Sequence, residues 1–309
     1  MTRKYIVIGF YIILILCSLL GVFSSAEALI SGFLVTLFLG EFYDKLKHKL
    51  IHWLLKISVV GLGFGMYLEE TLKAGKEGFG LTVFTIFATL GLGFLLTKIL
   101  KLDKKMGYMV SSGTSICGGS AIAAVSSVIK AAPKSISVAL GVIFLLNALA
   151  LFIFPPIGHF FGLSQTQFGL WSAVAIHDTS SVVGASMDYG PEALKIATTV
   201  KLARALWIIP ISILSMVFFH SKKGKINIPW FIFLFILAIL INSYFHLPNI
   251  LTSSITSISQ KMLVVTLFLI GSTLSIKDIK KTGAKPFILG VILWIFISIS
   301  SLYIIMNIL

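Results

Sequence analysis

Two short stretches of the sequence combine small and polar residues in a chain that is otherwise strongly apolar. The first, residues 111–121 (SSGTSICGGSA), has Gly, Ser, Thr or Ala at nine of its eleven positions. Glycine destabilises a helix by about 1 kcal/mol relative to alanine, and Ser and Thr compete for its backbone bonds. The stretch is either a tight helix-packing surface or a helix break whose freed amides bind an anion. The hydroxyls beside the glycine pair favour the break, with ligand contacts predicted at Ser112, Gly113, Thr114, Ser115, Gly118, Gly119 and Ser120.

The second stretch, residues 175–186 (AIHDTSSVVGAS), contains an isolated carboxylate. Of the eleven Asp and Glu residues, Asp178 alone has an apolar run before it and an apolar-small run after it. A charge in such surroundings costs several kcal/mol unless it is paired or hydrated, which makes it a functional candidate. Asp178 is predicted to exchange a proton, with His177 as a partner, or to ligate Na⁺ beside the hydroxyls of Thr179, Ser180 and Ser181. The alternative is a surface loop in which Asp178 caps the following helix.

Two cations and one amide complete the candidate site. Lys201 and Arg204 are three residues apart, so they share one face of a predicted helix. A guanidinium offers bidentate geometry to an oxyanion and retains its charge. The alternative for both is snorkelling to a membrane interface. Asn147, alone among Leu and Ala, is predicted either to donate to the ligand or to bond another helix.

The elements that must position these residues are membrane-spanning helices. The chain of 309 residues is 57% hydrophobic and 12% charged, with a mean hydropathy of +1.03. Its apolar residues form blocks near the length that crosses a hydrocarbon core. We predict an all-α, polytopic fold in one transmembrane domain covering residues 1–309. The predicted spans are 5–23, 28–42, 50–68, 78–99, 135–154, 196–219, 228–246, 258–275 and 285–306.

The two polar stretches lie in further segments, 107–129 and 168–187, whose depth the sequence leaves open. If both cross, the chain has eleven transmembrane helices, and if both re-enter on the side from which they came, it has nine. In either case we expect these two helices to be discontinuous or re-entrant. Residues 113–121 also resemble residues 178–186, and each precedes an apolar helix ending at a proline, which predicts inverted repeats.

Clusters of lysine between the apolar blocks predict the orientation. Basic residues accumulate in cytoplasmic loops, which places the N-terminus in the cytoplasm and the C-terminus outside. The net charge of +14 is dispersed over these loops rather than gathered on one surface, which argues against nucleic-acid binding. The clusters are Arg3/Lys4, Lys45/Lys47/Lys49, Lys101/Lys104/Lys105, Lys222/Lys223/Lys225 and Lys277/Lys280/Lys281.

These motifs resemble a known family. Residues 111–124 (SSGTSICGGSAIAA), 175–185 (AIHDTSSVVGA) and 201–204 (KLAR) are similar to signature stretches of the YeiH-type sulfate exporter family of bacterial inner-membrane proteins. The elements at 145–147 (LLN) and 154–156 (FPP) extend the resemblance over nearly the whole chain. It implies a multi-pass transporter of the bacterial inner membrane, related to exporters of sulfonates or similar oxyanions.

Together these features predict a secondary transporter, an exporter by resemblance, of a small oxyanion such as sulfate, a sulfonate or a carboxylate. Alternating access would be coupled to H⁺ or Na⁺, without a cofactor, a metal site or catalytic residues. The alternative is a cation/proton antiporter that uses Asp178. A membrane-embedded enzyme is a weaker alternative, since no second catalytic group is evident. The expected partners are the anion and the lipid bilayer, with a homodimer left open.

Overall fold

The structure of the protein is a computed structural model that describes residues 2–40, 44–219, 230–245, 247–273 and 283–308. All regular secondary structure in these ranges is α-helical. The helices are α1 Thr2–Leu19, α2 Ser25–Leu39, α3 Asp44–Gly63, α4 Leu68–Ile99, α5 Lys104–Ser115, α6 Gly119–Ile129, α7 Pro133–Phe160, α8 Gln165–Ala175, α9 Thr179–Tyr189, α10 Pro191–Ala205, α11 Ile208–Phe218, α12 Phe231–Phe245, α13 Asn249–Gly271 and α14 Ala284–Ile308.

The all-α, polytopic prediction is confirmed. Within the described ranges, five helical stretches are long and apolar enough to cross a membrane. They are Leu68–Ile99, Pro133–Phe160, Pro191–Phe218, Asn249–Gly271 and Ala284–Asn307. Shorter apolar helices match other predicted spans. The number of crossings stays a prediction, and the lysine clusters at 222–225 and 277–281 lie outside the described residues.

The helices form two packed groups. In one group, α13 packs along α2 and α3, while α12 packs on α3 and α1 on α13. In the other, α4, α7, α10, α11 and α14 surround the two polar segments. Helix α9 contacts α2 and α13 of the first group. In the contact between α2 and α9, the hydroxyl of Ser25 donates to a carboxylate oxygen of Asp188 over 3.2 Å.

The first polar segment, α5–α6, folds back on itself as a helical hairpin, named hairpin 1. The ammonium group of Lys105, at the start of α5, donates to the carbonyl oxygen of Lys130, just after α6, over 3.1 Å. A continuous helix would separate these two residues by about 38 Å. The two ends of the segment therefore lie side by side.

The second polar segment, α8–α9, forms hairpin 2 in the same way. Ser164 begins α8 with a capping box that includes the side chain of Gln167. The hydroxyls of Ser172 on α8 and Ser186 on α9 are 2.9 Å apart. At the open end, the Tyr189 hydroxyl donates to the carbonyl of Leu163 over 2.7 Å. These bonds join the two arms along their length.

Candidate functional site

The closed ends of the two hairpins meet inside the protein. We define tip 1 as residues 116–118, between α5 and α6, and tip 2 as residues 176–178, between α8 and α9. Gly118 has φ +64°, and a Cβ atom there would lie 3.4 Å from the carbonyl carbon and oxygen of His177. Its amide donates to the carbonyl of Gly113 over 2.8 Å. Tip 1 thus requires glycine for its positive φ, and a Cβ at this position would also lie only 3.2 Å from the side chain of Ile143 on α7.

Lys201 of α10 joins the two tips. Its side chain is fully buried, with 0% exposure, and its ammonium group donates to three backbone carbonyls. The acceptors are Ile116 in tip 1 at 3.3 Å, Ile176 in tip 2 at 2.6 Å, and Ala173 near the end of α8 at 3.2 Å. One cation therefore contacts the carboxyl-terminal ends of both α5 and α8, where the helix dipole is negative.

Arg204, one turn further along α10, binds tip 1 to α4. It is also 0% exposed. Its Nε donates to the carbonyl of Ile116 over 3.2 Å, one terminal nitrogen donates to the carbonyl of Ser115, and the other to the Thr85 hydroxyl over 2.8 Å. Within the described part of the chain, neither Arg204 nor Lys201 forms an ion pair with a carboxylate. Snorkelling to an interface does not describe either residue, because both are enclosed by protein.

Asp178 caps α9 from within tip 2. Its carboxylate accepts the backbone amides of Ser180 and Ser181, both over 3.3 Å. The hydroxyls of the same two serines also donate to it, that of Ser181 over 3.2 Å. The capping interpretation therefore describes its hydrogen bonds, although the residue is half-buried at the hairpin junction and not in a surface loop.

Asn147 of α7 supports tip 2 from the side. Its Oδ1 accepts the backbone amides of His177 and Asp178, each over 3.1 Å. Its Nδ2 is buried and has no hydrogen-bond partner among the residues that the structure describes. Both ring nitrogens of His177, which is 1% exposed, likewise lack a partner, and the ring centroid lies 6.5 Å from that of Trp294. Unsatisfied buried donors of this kind indicate a place for a water molecule or a polar ligand.

The hydroxyls predicted in α5 are oriented toward their own helix. Ser112 donates to the carbonyl of Tyr108 over 2.8 Å, and Ser115 donates to that of Ser112 over 3.2 Å. Thr114 is buried, and its hydroxyl has no hydrogen-bond partner within the described ranges. Gly113 lies where a Cβ would press on Ile122 of the other arm. This part of the motif therefore packs the hairpin, as the small-residue alternative predicts.

The start of α6 has a different environment. The N-cap residue of α6 is Gly118, which has no side chain to cap the first amides of the helix. Gly119 is half-exposed and Ser120 is exposed. At the start of α9, Thr179 is buried and close to the capping carboxylate of Asp178. The first amides of α6 are thus the freer of the two helix N-termini at the junction.

Thr85 is a site residue that the sequence analysis missed. It lies in the apolar helix α4, and its hydroxyl both donates to the carbonyl of Leu81 over 2.7 Å and accepts from Arg204. Thr82, Thr85 and Thr89 are spaced three and four residues apart and are all buried. A threonine stripe of this kind on one face of an apolar helix is the signal that indicates a buried polar contact.

No group of three or more His, Cys, Asp and Glu side chains that could hold a metal ion exists in the described ranges. The polar groups at the tips are instead backbone amides and carbonyls, hydroxyls, one amide side chain, one carboxylate and two cations. This composition is suited to binding and release of a small polar solute.

Comparison with known proteins supports the resemblance found in the sequence. The family model described as Conserved hypothetical protein 698 matches residues 6–290. A UPF0324 membrane protein of Bacteroides thetaiotaomicron is 52% identical over 89% of this chain and 84% of its own length. Relatives of the same description from Photobacterium profundum and Vibrio parahaemolyticus are 50% identical (97% of this chain, 92% of the relative) and 46% identical (98% of each). No solved structure matches the chain. The chain is therefore a member of the UPF0324 family of membrane proteins, the family that contains YeiH.

Proposed function

We propose that this membrane protein is a secondary transporter of a small oxyanion, such as sulfate, a sulfonate or a carboxylate. The observation that carries the proposal is the junction of the two tips on two fully buried cations. Lys201 and Arg204 bring two positive charges to the junction and Asp178 brings one negative charge. The junction therefore carries one net positive charge, which favours an anion as the bound solute.

We propose that the anion binds at the start of α6. The first amides of a helix bind anions because they lack intrahelical acceptors and lie at the positive end of the dipole. The amides of Gly119 and Ser120 and the Ser120 hydroxyl would provide the first contacts, with the Nδ2 donor of Asn147 as a further candidate. Thr179, Ser180 and Ser181 would form the opposite wall, because they begin the helix that follows tip 2.

The two hairpins would enter the membrane from opposite faces. The ends of hairpin 1 carry Lys105 and Lys130, whereas Glu192 lies beside the ends of hairpin 2 and accepts a bond from Thr166 over 2.8 Å. Helix α7 connects the hairpins and, with 28 residues, is about 42 Å long, enough to cross the bilayer. Each arm of hairpin 1 is about 18 Å long, or roughly half a bilayer, so the tips would meet near the midplane. A site at that depth is accessible from either side by small movements, as alternating access requires.

Coupling is proposed to run through Asp178 and His177. The carboxylate of Asp178 is half-buried beside the cations, and the imidazole of His177 has no partner in this conformation. Binding of H⁺ or Na⁺ at this pair would add positive charge to the junction and so offset the negative charge of the bound anion. Export across the bacterial inner membrane, with the C-terminus outside, belongs to the same proposal.

Purified protein in liposomes tests the proposal. Radiolabelled sulfate, or a labelled sulfonate such as taurine, should be taken up faster than by empty liposomes, and a pH or Na⁺ gradient should accelerate the uptake. Excess unlabelled sulfate should compete, and choline should not. If no sulfate, sulfonate or carboxylate is transported, and none raises the melting temperature of the protein, the proposed substrate class is wrong.

The same liposomes distinguish the cation/proton antiporter. In that mechanism Asp178 would bind the transported cation, and Arg204 would be only a counter-charge. Arg204→Ala should weaken the sulfate affinity of an anion carrier, because it removes one of the two charges that attract the anion, and should only shift the pH dependence of an antiporter. Cation-driven proton movement without any anion requirement would favour the antiporter.

A further inference from the structure

Lys201 and Arg204 leave few donors for a transported anion. A lysine ammonium has three donors, and all three of those on Lys201 are matched by carbonyl acceptors. Arg204 uses its Nε and both terminal nitrogens, on two carbonyls and the hydroxyl of Thr85. Both side chains have 0% exposure. Direct binding of an anion to Lys201 would therefore break its bonds to the hairpins.

The bonds of Lys201 also connect two elements that no backbone turn joins. Ile116 belongs to tip 1 and Ile176 to tip 2, and one ammonium group on α10 donates to the carbonyls of both. The carbonyls at these tips are at the ends of α5 and α8 and have no helical donors of their own. Without a buried cation they would remain unsatisfied, at a cost in free energy for each group.

We infer that Lys201 and Arg204 are positioning residues, which hold the two hairpin tips together and on α4, and that they do not contact the anion. The inference rests on the proposed function only in placing the anion at the start of α6. The two cations attract the anion through space. The hydrogen bonds to the anion come instead from amides and side chains at the starts of the helices that follow the two tips. Release of the Lys201 bonds is the step that lets the tips separate.

Cys117 provides a direct readout of tip separation. It is the middle residue of tip 1 and is 3% exposed. The chain has two cysteines, so Cys17→Ser leaves the thiol of Cys117 as the one reactive group. The rate at which a maleimide labels this thiol, in protein held in lipid nanodiscs without any anion, measures how often tip 1 opens.

Lys201→Met retains the length of the side chain and removes its charge and donors. Hydrogen bonds from a charged group stabilise the closed arrangement of the tips. Their loss should therefore raise the labelling rate about ten- to hundredfold. Thr85→Val, which removes one acceptor of Arg204 and retains shape, should raise the rate by a smaller factor. Lys195→Met is the matched control, because Lys195 is on the same helix but half-exposed and paired with Glu70 over 3.4 Å. Its labelling rate should equal that of the parent protein.

Two outcomes would overturn the inference. One is an unchanged labelling rate in both Lys201→Met and Thr85→Val. The other is an unchanged rate together with a large loss of sulfate-induced thermal stabilisation in Lys201→Met, which would make Lys201 a ligand of the anion. If Lys201→Met fails to fold, Thr85→Val alone decides. A faster rate in a protein that moves no oxyanion would support the positioning role and refute the proposed substrate class, so the two failures are distinguishable.

Discussion

At the scale of single residues, Asp178 has two roles that substitution can separate. Its carboxylate caps α9 and is also the proposed carrier of the coupling ion. Asn is as good an N-cap as Asp, whereas Ala costs about 1 kcal/mol. We expect Asp178→Asn and Asp178→Ala both to lose acceleration by a pH or Na⁺ gradient, and only Asp178→Ala to melt at a lower temperature. Gradient-driven uptake that persists in Asp178→Asn would remove the carboxylate from the coupling mechanism.

Asn147 also has two roles, one for each end of its amide. Asn147→Asp retains an oxygen for the amides of His177 and Asp178 but replaces the unpartnered Nδ2 donor and adds a negative charge. We expect a weaker sulfate affinity, by about tenfold or more, and a lower melting temperature, because an added carboxylate at this buried position is costly unless it is paired. Asn147→Leu leaves both backbone amides unsatisfied, so its free energy of unfolding should fall by about 1–3 kcal/mol for each amide. Thermal melts with and without sulfate measure both effects, and equal sulfate shifts in Asn147→Asp and the parent would exclude Asn147 as a ligand.

At the scale of elements, the folded-back geometry of hairpin 2 can be tested with a disulfide. The hydroxyls of Ser172 and Ser186 are 2.9 Å apart, so the double variant Ser172→Cys/Ser186→Cys should form a bridge on mild oxidation. In a straight helix the two residues would be about 21 Å apart. We expect rapid cross-linking in a background that also carries Cys17→Ser and Cys117→Ser, scored by protection from labelling. The matched control combines Ser172→Cys with Ser137→Cys on α7, and an absence of bridging in the first pair would contradict the hairpin.

At the scale of the whole molecule, the two hairpins predict an unusual pattern of accessibility. Lys105→Cys and Lys130→Cys should both react from the cytoplasmic face, because the two ends of hairpin 1 lie together. Ser164→Cys and Glu192→Cys, at the ends of hairpin 2, should both react from the outer face. Intact cells and inverted vesicles treated with a membrane-impermeant maleimide provide the measurement. Opposite faces for the two ends of either hairpin would mean that the segment crosses.

Much of the helical layout follows from the sequence, because the apolar blocks and their polar boundaries are local properties. The predicted span 78–99 lies in α4, 135–154 in α7 and 285–306 in α14. The breaks were also predictable, since Gly118 and Asp178 are poor interior residues of a helix and good residues for a turn or a cap. Local composition therefore favoured an interruption in both segments, with an unbroken packing helix left as the alternative for the first.

What only the tertiary structure decided is how the breaks are arranged. The charge pattern is the same for a crossing and for a re-entrant segment. The bond from Lys105 to the carbonyl of residue 130 brings the two ends of α5–α6 side by side, and entry into the membrane from one face stays a prediction. The surroundings of Lys201 and Arg204 could not be predicted from the sequence either. Sequence reasoning left open whether these side chains reach a membrane interface or line a binding site. Their acceptors come from residues 85 to 176, and contacts between residues so far apart in the chain depend on how helices pack, which no local pattern encodes.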